Sequence, residues 1–451
     1  MSYIINTPCG QVKGCKSHVE GINVFKGIRY ATADRFTYPK EVTSWDGVYD
    51  ATNFGHCCYQ ARAFYDESKV EKKAFYYNEF RKGETYTYSE DCLFLDVWVP
   101  DGVTETSKLP VIFYIHGGGF TGGCGFELQF KGPLWPKHDV IAVMINYRLG
   151  PLGFTCLKEL KEEAGHSGNY GLYDQVAALK WVKHNIKSFG GNPDNITVMG
   201  QSAGAMSIQQ LCVSPITKGL FHKAIMCSGG GVNPVLITQK EEKQYAFTHK
   251  IMEYAGVTTL KEFRELPVEK LYEAWEKAKS EIKGMASTPV IDGELIVDTI
   301  GNILKQDKHL HIPYILGSTS EDMFPPFAHS MSKGWCDKQD VPSYCYMFNH
   351  QLPSDDNGAW HSAELWYFFG TLDNCWRDMG SVDYELSIQM IKYLTNFAKT
   401  SDPNGDGLTV WNSSSKKMKK VMHFGNGFVG MQKVKKGILY KNMFFKKQPG
   451  Q

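Results

Sequence analysis

The sequence predicts an α/β fold, a mostly parallel central sheet with helices on both faces. Short β-branched apolar runs recur along the chain, and amphipathic helical patterns lie between them. Several runs are apolar at nearly every position, as in strands covered on both sides. The predicted strands are 93–99, 111–115, 140–146, 196–199, 224–227, 312–316 and 345–348. Between the third and fourth, Leu172, Val176, Leu179, Val182 and Ile186 recur at spacings of four, three, three and four, which is one face of a helix. Residues 236–284 differ: they are polar, rich in Lys and Glu, and helical in pattern. Pro267 ahead of Val268-Glu-Lys-Leu places a proline in a first helical turn. This segment reads as a helical excursion over the active-site end of the sheet, within a single domain spanning 1–451.

Bulk properties exclude several function classes. The chain has 451 residues, 42% of them hydrophobic and 22% charged, enough to bury a large core without staples. A formal charge of +1 gives no global attraction to nucleic acid or anionic lipid. Lysines crowd the C-terminal end (Lys416, Lys417, Lys419, Lys420, Lys433, Lys435, Lys436, Lys441, Lys446 and Lys447) and read as solvated surface. The twelve cysteines include no CxxC pair, so cysteine spacing supports no zinc or redox site. No apolar run approaches the ~18 residues of a membrane span, and the N-terminus lacks the pattern of a secretory signal. A cytoplasmic protein with free thiols is expected, with no nucleic-acid or membrane partner. The oligomeric state stays open.

The chemistry is carried by Ile196-Thr-Val-Met-Gly-Gln-Ser202-Ala-Gly204, a β-branched run entering G-x-S-x-G and then a helix-compatible stretch. A serine nucleophile needs this context, a strained strand-to-helix turn with flanks so close that Gly200 and Gly204 must lack a Cβ. Upstream, an apolar strand ends in His116-Gly117-Gly118-Gly119-Phe120, whose backbone N–H groups can turn inward to hold an oxyanion.

These motifs resemble those of the type-B carboxylesterase and cholinesterase family. Phe189–Gly204 is similar to the family's signature around the serine. So are Glu90-Asp91-Cys92-Leu93, Asn146-Tyr-Arg-Leu-Gly-Pro, Gly168-Asn-Tyr-Gly-Leu-Tyr-Asp-Gln and Pro289-Val-Ile-Asp-Gly293. The matches span about residues 10–411, and the chain resembles a bacterial-type member. The resemblance implies an α/β-hydrolase fold and a serine carboxylesterase with a triad in the order Ser, acid, His. It selects Asp322, five residues after Gly317, over its neighbour Glu321, and His361 in Ala359-Trp-His-Ser-Ala-Glu364. It implies an oxyanion hole from the N–H groups of Gly118, Gly119 and Ala203, and a small-molecule ester substrate, with no metal or cofactor; aromatic residues between 64 and 88, if they line the entrance, favour small to medium apolar or aryl esters. An amidase or acyl transferase on the same site, or a non-catalytic binding protein of the same fold, are the alternatives.

Further expectations follow from the same resemblance. Arg148 with Asp174, and Arg35 with Glu90, should form structural ion pairs. Cys58 and Cys92 match a pair that is bonded in secreted relatives and are expected here as thiols. Gln201 stands where many relatives carry glutamate and lies outside the triad chemistry. The 39 residues from Asp322 to His361 are fewer than relatives usually carry. Asp402-Pro-Asn-Gly-Asp-Gly407 reads as a turn, not a calcium loop. Aromatic residues at 64, 65, 75–77, 80, 86 and 88 line either the mouth of the site or a local mini-core.

Overall fold

The computed structural model describes residues 3–232, 239–282, 285–323 and 325–434. Its main sheet contains β1 (Tyr3–Thr7), β2 (Gly10–Lys16), β3 (Ile22–Arg29), β4 (Phe94–Pro100), β5 (Leu109–Ile115) and β6 (Ile141–Ile145). It continues with β7 (Gly191–Gln201), β8 (Lys223–Cys227), β9 (Tyr314–Thr319), β10 (Ser343–Asn349), β11 (Val421–Gly425) and β12 (Phe428–Gln432). The spatial order is β1-β2-β3-β4-β6-β5-β7-β8-β9-β10-β11-β12. From β6 to β11 all neighbours are parallel, and the outer strands pair antiparallel.

Alternation along the central strands shows why they are apolar throughout. Val111, Phe113 and Ile115 enter one hydrophobic cluster, with Leu172, Leu179 and Val182 of helix α1 (Tyr170–Asn185) and Ile208 of helix α2 (Ala203–Cys212). Ile112 and Tyr114 point the other way, to a second cluster with Met390, Ile391 and Leu394 from the helix Ser381–Thr400. Residues two apart on a strand share a face, so a strand buried on both sides cannot afford a polar position.

Each strand read from the sequence is present, with one shift worth noting. The run expected at 312–316 forms its strand over Tyr314–Thr319. Pro313 has no N–H to give the ladder, and Gly317 fits because Tyr346 covers it, so closely that a Cβ there would strike the ring. The polar segment contains three helices, Glu241–Ala255, Leu260–Glu265 and Val268–Ser280; positions 236–238 and 283–284 lie outside the described residues. Pro267 caps the third helix instead of lying in its first turn, and its carbonyl accepts from the Leu271 N–H at 3.1 Å. Ile251, Phe263, Leu271 and Trp275 belong to the same cluster as the sheet residues. Of the C-terminal lysines, Lys416, Lys417, Lys419, Lys420 and Lys433 are exposed, and the others lie outside the described residues.

Both expected ion pairs form. Arg148 grips Asp174 bidentately, Nη2 to Oδ1 at 2.7 Å and Nε to Oδ2 at 2.8 Å, and Asp174 is fully buried. Arg35 pairs with Glu90 through Nε to Oε2 at 2.9 Å and through a second bond from Nη2 to Oε1. The Arg148 backbone N–H also donates to Asp174, at 3.0 Å. The pair therefore pins the turn after β6 onto α1. Removing one member strands the other charge in the core, which typically costs about 3–5 kcal/mol. Asp174→Ala should lower stability by that amount, read from the urea midpoint at unchanged m-value; a loss under about 1 kcal/mol would contradict the structural role.

Candidate active site

The C-terminal ends of β5, β7, β8 and β9 lie side by side, because Ile115 pairs with Gly200, Gln201 with Cys227, and Cys227 with Gly317. The segments leaving these four ends carry His116–Gly119, Ser202, Ser228 and Asp322. The parallel register alone therefore gathers residues that are distant in sequence.

Ser202 sits between β7 and α2 at φ 55° and ψ −123°, a conformation that non-glycine residues rarely adopt. Its N–H donates to the Cys227 carbonyl at 2.9 Å, and its carbonyl accepts from Met206 at 2.9 Å. The flanks are as close as the sequence implied. A Cβ on Gly200 would lie 2.6 Å from the Gly204 carbonyl carbon, and one on Gly204 would lie 2.9 Å from the His116 oxygen and strike that of Ile115. A Cβ on Gly117 would come within 3.0 Å of the Ser202 Cβ, so the glycine loop lies directly against the serine.

That loop is held from outside. Buried Gln60 accepts from the Gly123 N–H at 2.9 Å and donates to the Gly123 carbonyl at 3.1 Å. His116 stacks on Tyr147, ring centroids 4.5 Å apart, and burial brings its pKa down to about 4, so it is neutral. Gly118 and Gly119 have φ of 111° and 63°. Among the described residues, the N–H groups of Gly118, Gly119 and Ala203 engage no acceptor.

The structure brings Asp322 and His361 together, Oδ1 to Nδ1 at 2.7 Å, both buried. Asp322 also accepts from the Met323 N–H at 2.7 Å. Glu321 takes another direction. Its N–H donates to the Ala359 carbonyl at 3.0 Å, it forms a parallel bridge with Trp360, and its side chain lies over Gly358. Burial alone would raise the Asp322 pKa. The charge of His361 and its hydrogen bond, with the bond from the Met323 N–H, outweigh this and bring it below the usual carboxylate range. Burial likewise opposes the imidazolium, but Asp322, helped by Glu364, lifts His361 above the ordinary imidazole value.

Three neighbours of this pair were given no role by sequence reasoning. Gln201, set aside there, lies with Nε2 3.3 Å from His361 Nε2. With the His361 Nδ1 proton donated to Asp322, an amide N–H facing Nε2 suits its lone pair. Ser228, at φ 52°, donates to Glu364 Oε1 at 2.9 Å. Glu364 is fully buried, and burial followed by the nearby Asp322 charge pushes its pKa up to about 7. The spacing of His361 and Glu364 within one segment was the only sequence signal for this second acid.

Cys58 and Cys92 are buried free thiols, as are most of the twelve cysteines. The aromatic stretch divides. Phe75, Tyr76 and Phe80, on the helix Glu71–Phe80, pack against Trp360, while Phe64 and Tyr65 are exposed. Asp402 accepts from the Asn404 N–H at 3.0 Å, ordinary turn chemistry.

A strand-to-helix serine turn, a glycine loop packed against it and a buried Asp–His pair are the features expected of a hydrolase of the serine type. The profile of the Carboxylesterase family matches residues 1–333 and 325–441, and the chain belongs to that family. It is 30% identical over 471 residues to the para-nitrobenzyl esterase of Bacillus subtilis, covering 90% of this chain and 91% of that one. It is likewise 30% identical over 493 residues to the cocaine esterase of Oryctolagus cuniculus, covering 91% and 90%. A solved PNB esterase superposes with a TM-score of 0.84 at 27% identity, covering 99% of this chain and 100% of the other. An esterase of Clostridium hathewayi, described as hydrolysing aliphatic aromatic polyesters, gives 0.80 at 26% identity over 95% of each chain. The protein is thus a serine carboxylesterase with the α/β-hydrolase fold. Among the described residues no helix is long and apolar enough to cross a membrane.

Glu364 adds negative potential beside His361, so its removal should make the imidazolium harder to form. Glu364→Gln is expected to lower the His361 pKa, followed by NMR of histidine labelled at the ring carbon. An unchanged or raised value would show that Glu364 is neutral whenever His361 titrates.

Proposed function

We propose that Ser202 is the nucleophile, His361 the general base and Asp322 the acid that orients the imidazole. The observation that carries this reading is the 2.7 Å bond from His361 Nδ1 to Asp322, with Nε2 turned toward Gln201, the residue before Ser202. His361 takes the Ser202 proton as Oγ attacks the ester carbonyl, then passes it to the departing alcohol. Water, activated by the same imidazole, releases the acid and restores Ser202. The N–H groups of Gly118, Gly119 and Ala203 hold the oxyanion; losing one such donor typically costs about 3–4 kcal/mol. The steps call for no metal or cofactor. The free thiols fit a cytoplasmic protein, and the burial of the helical excursion in the sheet's own core supports one domain over 1–451.

An organophosphate should label Ser202 and abolish turnover, and peptide mapping to another serine would overturn the assignment. Replacing the acid by its amide keeps its shape but removes the charge that supports the imidazolium. Asp322→Asn should therefore lose at least about a hundredfold in kcat, while Glu321→Gln stays within about fivefold of the parent. The reverse pattern in folded variants would move the role to Glu321.

Small to medium apolar or aryl esters are the proposed substrates. The exposed aromatic side chains of Phe64 and Tyr65, and relatives named for a nitrobenzyl ester and for aromatic polyesters, support this class. A panel of p-nitrophenyl esters of rising chain length, with methyl hydroxycinnamates alongside, should give the highest kcat/KM on short to medium apolar or aryl members. Matched amides and an alcohol acceptor test the amidase and transferase readings, and faster turnover on the amide would replace the esterase assignment.

A further inference from the structure

At the other end of β9 from Asp322, about 20 Å along the strand, three side chains converge in a pattern unrelated to ester hydrolysis. Asp307, His309 and His311 occupy alternate positions in the turn between the helix Ile300–Lys305 and β9. One ligand atom from each lies within 4.8 Å of the others. Asp307 Oδ1 is 3.7 Å from His309 Nδ1 and 3.4 Å from His311 Nε2.

The surrounding hydrogen bonds assign the protons. Gln339 donates its amide Nε2 to the Trp335 carbonyl at 3.1 Å, which turns its Oε1 toward His309 Nε2 at 3.0 Å. His309 must therefore carry its proton on Nε2, leaving a lone pair on Nδ1. His309 is 7% exposed, and Nδ1 is buried without a hydrogen-bond partner. His311 lies between two carboxylates, Nδ1 2.9 Å from Asp340 Oδ1 and Nε2 3.4 Å from Asp307 Oδ1; in its neutral form, with the Nδ1 proton donated to Asp340, its Nε2 presents a lone pair toward Asp307. With His311 neutral, two imidazole lone pairs and a carboxylate oxygen gather within 4.8 Å of one another. A buried nitrogen facing an anion in this way is costly unless a cation lies between them.

We propose that Asp307, His309 and His311 bind a divalent transition metal of the zinc class, through Oδ1, Nδ1 and Nε2. Ligands about 2.0–2.1 Å from a tetrahedral ion lie about 3.3 Å from one another, close to the two oxygen–nitrogen separations seen. Two nitrogens and one oxygen suit zinc better than calcium or magnesium, which prefer all-oxygen shells. Gln339 and Asp340 hold the outward ring nitrogens as outer-shell acceptors do in zinc sites. Water completes the coordination on the side of exposed Asp307. The ion ties the turn before β9 to the turn between the helix Pro325–Cys336 and β10.

The test is calorimetric titration of the chelator-stripped full-length protein with zinc chloride, with cobalt(II) absorption as a second measurement. One saturable site is expected, lost or weakened at least about a hundredfold in Asp307→Asn and His311→Gln, both at exposed positions. Asp340→Asn should weaken it by about ten- to a hundredfold. Cobalt should give visible d–d bands without a thiolate charge-transfer band. Absence of saturable binding to the folded wild type would overturn the proposal and leave a proton shared by His311 and the two aspartates as occupant. Binding that survives in Asp307→Asn and His311→Gln, or a thiolate band, would overturn it in favour of a cysteine site. Ester hydrolysis should be unchanged in all three variants.

Discussion

Ser202 is held at positive φ by backbone contacts that leave no room for side chains, and the geometry around it follows from that constraint. A non-glycine residue so placed costs on the order of 1–3 kcal/mol and persists only when its surroundings fix it. Here β8 fixes it from one side through the Cys227 carbonyl, and α2 from the other through Met206. Gly229, beyond the end of β8, comes so near that any Cβ on it would strike the Ser202 carbonyl oxygen. Tight packing of β5, β7, β8 and α2 therefore enforces the turn, and the same packing brings the glycine loop against the serine. Strain at one residue and placement of the proposed oxyanion donors share one cause.

Electrostatics sets the second constraint. Asp322, His361, Glu364 and Gln201 are all buried, so each charge must be answered locally. Asp322 is answered by the imidazole and by the Met323 N–H, which keeps it ionised. Glu364 has one hydroxyl donor at Oε1 and no hydrogen bond at Oε2, and its pKa rises toward neutrality. The two carboxyl groups thus differ in charge through their partners, not their chemistry. Gln201 contributes an amide and no charge at His361 Nε2. A carboxylate there would raise the imidazole pKa further, so the neutral side chain helps keep the proposed base unprotonated.

Legibility in the sequence followed the range of the interactions. The central strands were readable because burial on both faces makes every position apolar, a signal contained within five or six residues. The outer strands β1, β2, β11 and β12 were not. Tyr3–Thr7 alternates half-buried with exposed residues, and β11 carries His423 among its apolar positions. The serine turn was legible because its steric demand falls on adjacent glycines. Counting from Gly317 picked Asp322, the acid that meets His361 in the structure. Ser228 was missed, and Gln201 was noted but set aside, because their significance lies wholly in contacts across strands. The His309 and His311 pattern stayed silent for a related reason, since the acceptors that fix its protons, Gln339 and Asp340, stand about thirty residues downstream.

The short connection between Asp322 and His361 raises the question of what positions the histidine without a larger insertion. The Glu321–Trp360 bridge ties the start of the histidine segment to the end of β9, placing His361 one residue beyond the contact, just as Asp322 stands one residue beyond Glu321. Parallel pairing in step is what lets these two side chains meet. Trp360 is then clasped by Phe75, Tyr76 and Phe80, with ring centroids 5.0, 5.9 and 5.7 Å away. The Tyr76 hydroxyl donates to the His361 carbonyl at 3.3 Å. Each such aromatic pair typically adds about 0.5–1.5 kcal/mol beyond its area, so the clasp adds to the burial and hydrogen bonds that hold this segment. Three aromatics of the stretch between Cys58 and Cys92 thus support the histidine from behind, Tyr86 packs on Phe126 instead, and Phe64 and Tyr65 are exposed.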